Sequence, residues 1–207
     1  MTAITVEGVH RLTQQAEHGV LGIEVALHGS DRDAVVRRHA ELHTEVVTEL
    51  RARGTLALEV GSPWTWSDVL SPGNPDGSVP QHHATSTITA TYADLEALAA
   101  DVAAFALRPE LQVQQVRWEL SEATREGLLD AARVLAVQDA ARRARSYAAA
   151  IRPGVHAEPA LVSITERQVH GGGGPTPMFA RADMGAGIQF TTPEIEVEAA
   201  IVAVFEV

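Results

Sequence analysis

Nine histidines and a surplus of carboxylates are the residues of this chain whose chemistry could be put to work. His39 and His43 stand four apart in a stretch of helical rhythm, the spacing that brings two imidazoles onto one metal ion. A zincin helix needs glutamate directly after the first histidine, and that position holds Ala40. His39 also falls on the apolar stripe, where a hydrogen-bonded core histidine is expected. His82 and His83 are neighbours in an alternating segment, so their rings point to opposite faces. The glycine run at 171–174 is followed by Pro175 and Pro177 rather than by the Lys-Ser/Thr of a phosphate cradle, and it reads as a flexible loop. There is no Gly-x-Ser-x-Gly elbow, no cysteine to serve as thiol nucleophile or thiolate ligand, and no lysine to form a Schiff base. No catalytic residue, no metal ligand and no cofactor site is therefore assigned.

Two sets of residues are candidates for recognition instead. Trp64 and Trp66 sit in a proline- and glycine-rich stretch, residues 61–81, that reads as a long loop. Aromatic anchors in such a place either dock into a partner or fold back as a lid over their own sheet. Glu194, Glu196 and Glu198 form one row along a strand, about 7 Å apart by strand geometry. Three aligned charges repel one another, so the row reads as a solvated face, or else as a site for a cation or for arginines from another strand or subunit.

The elements that must position these residues show a repeated switch of rhythm. Residues 194–207 alternate strictly, with Ile195, Val197, Ala199, Ile201, Ala203, Phe205 and Val207 on one face. So regular a strand needs a partner sheet and a covering layer, which places both termini in one packed body. Residues 4–12 and 20–28 also alternate, and the Glu17-His18-Gly19 step between them suits a hairpin. Ser30 or Asp31 caps a helix reaching Arg53, with Val35, His39, Leu42, Val46 and Leu50 at core spacing and Gly54 as its stop. Leu56, Leu58 and Val60 follow as a strand. Residues 84–92 alternate again, with a threonine stripe at 85, 87, 89 and 91, before a helix from Asp94 that ends ahead of Pro109. In 111–120 the apolar parity changes, which predicts a bulge near Gln114. Ser121 caps an alanine- and arginine-rich helix reaching Ile151, with Leu128, Ala132, Leu135, Ala140 and Tyr147 among its apolar positions, and residues 160–168 read as a further strand.

The composition excludes several functions. With 207 residues and 45% hydrophobic content the chain can bury a sizeable core. All sixteen basic residues are arginine, and the net charge of −11 opposes a nucleic-acid partner. No run reaches membrane-spanning length. The N-terminus lacks a basic region followed by an apolar one, so the chain as written is expected in the cytoplasm.

The order of these segments resembles the SIMPL-domain family, also called YggE-like, a domain of unknown function. The likeness is carried by the strand and helix of 84–105, by Val113-x-x-Val116-x-Trp118-x-Leu120-Ser121 leading into the long Ala/Arg helix, and by the terminal Pro193-Glu194-Ile195-Glu196-Val197 strand. Where relatives tend to have a Gly-Tyr pair before the middle strand, this chain has His82-His83, so no role of that tyrosine carries over. The resemblance implies bacterial proteins that are commonly exported to the periplasm or cell surface, stress-related, and in some cases closed homo-oligomers. It also implies an α+β fold: a two-layer sandwich of mainly antiparallel sheet with helices on one face. In that arrangement residues 1–81 with 153–207 form an outer subdomain, and 82–152 form an inserted strand-helix-strand-helix unit. A well-specified core without a convergent catalytic set predicts a non-enzymatic protein that self-associates through sheet edges and loops. The alternatives are a small-ligand binder or enzyme with a pocket between sheet and helices, and an adaptor that presents the Trp64 segment to another protein.

Overall fold

Period-two segments pair into two antiparallel sheets, and each sheet is covered by helices on one side. The computed structural model describes residues 2–70, 79–151, 158–167 and 190–207. In chain order the elements are β1 (Ala3–Gln15), β2 (His18–Gly29), α1 (Arg32–Ala52), β3 (Ala57–Val60), β4 (Trp64–Leu70), β5 (Val79–Tyr92), α2 (Leu95–Ala106), β6 (Leu111–Val113), β7 (Arg117–Glu119), α3 (Glu122–Ile151), β8 (Ala160–Arg167) and β9 (Glu194–Glu206). The expected α+β sandwich is what forms. The glycine run at 171–174 lies outside the described residues.

The described residues fall into two compact units. The outer one is a three-stranded sheet in the order β1-β9-β8, with α3 packed on β1 and β9. Its core joins Ile4 and Val6 to Ala199, Ile201, Ala203 and Phe205, under an i, i+4 stripe of Ala132, Ala136, Ala140, Ala144 and Ala148. The small alanines let the helix lie almost on the strand: a Cβ added at Gly8 would stand 2.0 Å from the Ala136 carbonyl oxygen. The closeness also explains why Tyr147, expected among the core positions of this helix, is 57% exposed.

The inner unit is Glu17–Glu119. Its sheet runs β3-β5-β2-β6, with β4 also on β5 and β7 also on β2. Leu21, Ile23, Val25, Ile88 and Ala90 face α1 and α2, and Phe190 packs against the same core. Asp31 and Asp94 cap the two helices through their side-chain oxygens, and Gly54, at φ 73°, takes the left-handed position after α1. The bulge near Gln114 is present. Ile23 pairs with Val113, so Val20 should meet Val116, yet it meets Arg117.

Three expectations need correction. The first two strands do not form a hairpin. β1 pairs with β9 along its whole length, from Ala3↔Glu206 to Gln15↔Glu194, and β2 pairs with β5. The chain changes units at this step, where Ala16 N–H donates to Pro193 at 2.9 Å and Glu17 N–H to Glu119 at 3.0 Å. The division also runs elsewhere than at 82–152. β5 has β2 on one side and β3 and β4 on the other, so strands from before and after residue 82 share a sheet, while α3 belongs with β1 and β9. Finally, part of the stretch read as a loop is strand β4, paired from Trp64↔Thr85 to Leu70↔Val79. Among the described residues it lies at the edge of the sheet, a position that tolerates the preceding Pro63.

Candidate functional site

Strand periodicity sends Trp64, Trp66 and Asp68 of β4 to one face and Ser67 to the other. Trp66 is in register with His83, and His83 with His28. The Trp66 and His83 rings stack with centroids 4.8 Å apart and planes 4° apart. Trp64 leans on Trp66 at 5.0 Å and 36°, and His28 lies 6.0 Å from His83. Because a carboxylate only accepts, His83 carries its hydrogen on Nε2 and donates it to Asp68 Oδ1 at 3.2 Å. His82 points to the opposite face and bonds Ser67 at 2.6 Å. The tryptophans thus form an ordered row on their own sheet. They remain open, with Trp64 67% and Trp66 40% exposed.

The row continues into polar groups. Trp64 is in register with Thr85, whose hydroxyl donates to Glu24 Oε1 at 2.8 Å. Glu24, Thr85, Thr87 and Thr89 share the tryptophans' face, which is the one turned away from the core residues under α1 and α2. The threonine stripe was evident in the chain. Its place beside the tryptophans was not, because it depends on the pairing of β4.

The acidic row of β9 has a local partner. Arg11 of β1, in register with Glu198, bonds Glu198 and lies 3.5 Å from Glu196. The bond to Glu198, and then the two carboxylate charges, hold the Arg11 guanidinium above its usual range. Glu194 is exposed and in register with Gln15. The structure does not bring the glutamate row and the tryptophans into one unit.

The histidine pair of α1 belongs to the core. His39 is buried, bonds Ser86 Oγ through Nε2 at 3.1 Å, and is also bonded to the Val25 backbone. Its ring stacks on His43 at 6.0 Å and 20° rather than converging with it on a common point. A serine held on a histidine is the arrangement of an activated nucleophile, but here both groups are buried in the core. Burial, followed by the charge of His43, lowers the His39 pKa from its ordinary 6.5, so the folded protein holds it neutral. As the pH drops below about 6.5 the unfolded chain takes up this proton while the folded one refuses it. Stability therefore falls on acidification until the folded His39 itself titrates. The expected result is that His39→Gln flattens the pH dependence of urea unfolding between pH 7 and pH 5, by at most about 1.4 kcal/mol per pH unit. An unchanged slope would contradict this.

The strand expected at 160–168 forms as β8, and its exposure is what periodicity does not foretell. All eight of its residues are exposed, among them Leu161, Val162 and Ile164 at 48%, 61% and 43%. Leu161 and Ile164 are in register with Phe205 and Ala203, so they lie on the α3 side of the sheet, where the helix packs on β1 and β9. On the opposite flank, along β1, a groove of about 430 Å³ is lined by residues 3–7 with Arg143, Tyr147 and Ile151. Among the described residues no helix is long and apolar enough to cross a membrane. A family model described as SIMPL, protein of unknown function (DUF541), matches residues 4–205. No curated protein matches the chain.

Proposed function

We propose, from the premise that the chain belongs to the SIMPL family, that it is a non-enzymatic protein whose work begins with self-association through the edges of its outer sheet. The observation that carries this reading is β8. It pairs with β9 alone among the described residues and carries three exposed aliphatic side chains. Proteins that remain single blunt such an edge with charge, proline or a bulge, because unpaired N–H and C=O groups invite another strand. β8 carries one of these devices, a register shift between Leu161 and Ser163, but beyond it Ile164 is exposed and the charges, Glu166 and Arg167, come only at the strand's end.

The opposite edge supplies a complementary surface. β1 also has β9 as its only described partner, and the adjoining groove presents Tyr147 and Ile151. In this reading β8 of one chain lies along β1 of the next, a head-to-tail contact that generates a ring when its rotation closes. Replacing both Val162 and Ile164 with lysine puts charge on the edge and is expected to reduce the native mass to that of one chain. An unaltered mass distribution speaks against β8 as the contact.

The groove also favours a second reading, a small-ligand site between sheet and helix. It predicts that a ligand raises the melting temperature of the chain and that Tyr147→Ala abolishes the effect. In this reading the tryptophan face of the inner unit is a separate surface for a protein partner.

A further inference from the structure

We infer that the tryptophan face of the inner unit is a docking site for an extended, arginine-bearing segment of another protein. The first ground is that its aromatic surface is partly used and partly free. His83 covers one side of Trp66 and Trp64 leans on it as well, so the exposed surface of the stack is mainly that of Trp64. A second ground is charge. Glu24 and Asp68 stand on this face with the tryptophans, and Glu59 of β3, in register with Thr89, joins them. Among the described residues the partner of Asp68 is His83, and no arginine pairs with Glu24, Glu59 or Asp68. Arg117, in register with Val20, lies four residues along β2 from Glu24, at the other end of the face. The whole chain carries a charge of −11, which attracts a cationic partner and repels an anionic one.

An exposed indole beside carboxylates that no arginine among the described residues neutralises is matched by a cation that is flat and weakly hydrated. A guanidinium stacks on the indole face and directs its N–H donors in the plane toward a carboxylate, whereas an ammonium does so less well. Glu24 is already held by the Thr85 hydroxyl next to Trp64, so its carboxylate is oriented before any partner arrives. The backbone explains why the segment is extended. β4 pairs with β5 alone among the described residues, so its outer side can accept another strand. A strand added there repeats its side chains every second residue, about 7 Å apart, in step with Trp64, Trp66 and Asp68.

The test is calorimetric titration of the full chain with acetyl-Arg-Thr-Arg-Thr-Arg-amide and with the same peptide carrying neutral citrulline for arginine. The arginine peptide is expected to bind at least about tenfold more tightly, and Trp64→Leu to weaken it about fivefold. Trp64→Leu keeps every charge, so an unchanged affinity would mean general attraction to an acidic protein and would overturn the proposal. Equal binding of the citrulline peptide would overturn it too, as would binding of neutral oligosaccharides in place of the peptide. The comparison of the two peptides uses the native protein and needs no variant to fold. An arginine peptide that dissolves the self-associated form without binding at Trp64 would assign it to the outer sheet and would also overturn the proposal.

Discussion

A Gly8→Val chain is expected to lose the fold of its outer unit. The added Cβ would lie 2.0 Å from the Ala136 carbonyl oxygen and 3.0 Å from both the Ala136 carbonyl carbon and the Ala140 Cβ. The first two obstacles are backbone, so no rotamer change relieves them. Retreat is blocked as well, since β1 is zipped to β9 from end to end and the α3 alanine stripe is seated on Ile201, Ala203 and Phe205. Overpacking a core usually costs about 1–3 kcal/mol, and a backbone collision on a fixed strand should exceed that range. This is a large fraction of the roughly 5–15 kcal/mol that holds a domain together. Gly127 is the control, because it sits in α3 with nothing within 4 Å of an added Cβ. Gly127→Ala should be neutral or stabilise the helix by up to about 1 kcal/mol. Urea unfolding followed by circular dichroism separates the two, and a Gly8→Val chain with a native midpoint would contradict the close packing of β1 and α3.

Arg53→Met is expected to be nearly as damaging to the inner unit. Asp101 of α2 is fully buried, accepts a hydrogen bond from the Tyr92 hydroxyl at 2.7 Å and is paired with Arg53 just beyond α1. One carboxylate thus joins α1, β5 and α2. The guanidinium also lies 5.5 Å above the Phe105 ring. Burial, and then the bond to Asp101, pushes the Tyr92 phenol far above its usual range, so it stays protonated and keeps the hydrogen that it donates to Asp101. Removing Arg53 leaves a buried carboxylate with one neutral partner, a change of about 3–5 kcal/mol. Asp101→Asn should cost less, because Arg53 is partly exposed and can turn to water. The double substitution should recover part of the loss, since the amide still accepts from Tyr92 without carrying charge. If Arg53→Met lost only about 1 kcal/mol, the worth of an exposed ion pair, Asp101 would not be held as described.

What could be read from the chain was what local periodicity dictates. The caps at Asp31, Asp94 and Ser121, the stop at Gly54, the strict alternation of β9 and the parity change near Gln114 all appear where the residues place them. Pairing partners were not legible, because a strand's rhythm does not say which distant strand it joins. The turn at 17–19 suits a hairpin, but β9 offers β1 a longer ladder. In β4 the alternation Trp64, Trp66, Asp68 was a strand signal in plain view. It was outweighed by the surrounding prolines and glycines, which an edge strand tolerates. The candidate site suffered the same limit. Trp64 and Trp66 could be singled out, yet His83, Thr85 and Glu24 join them only through register. Arg11 answers two of the β9 glutamates for the same reason.

Sedimentation velocity of the native chain over the micromolar range, beside the Val162→Lys/Ile164→Lys double variant, tests self-association through β8 most directly. The native chain should sediment as an oligomer and the variant as a single chain with an unchanged circular dichroism spectrum. A native chain that stays a single chain at every concentration, or a variant that assembles as the native one does, would contradict the account.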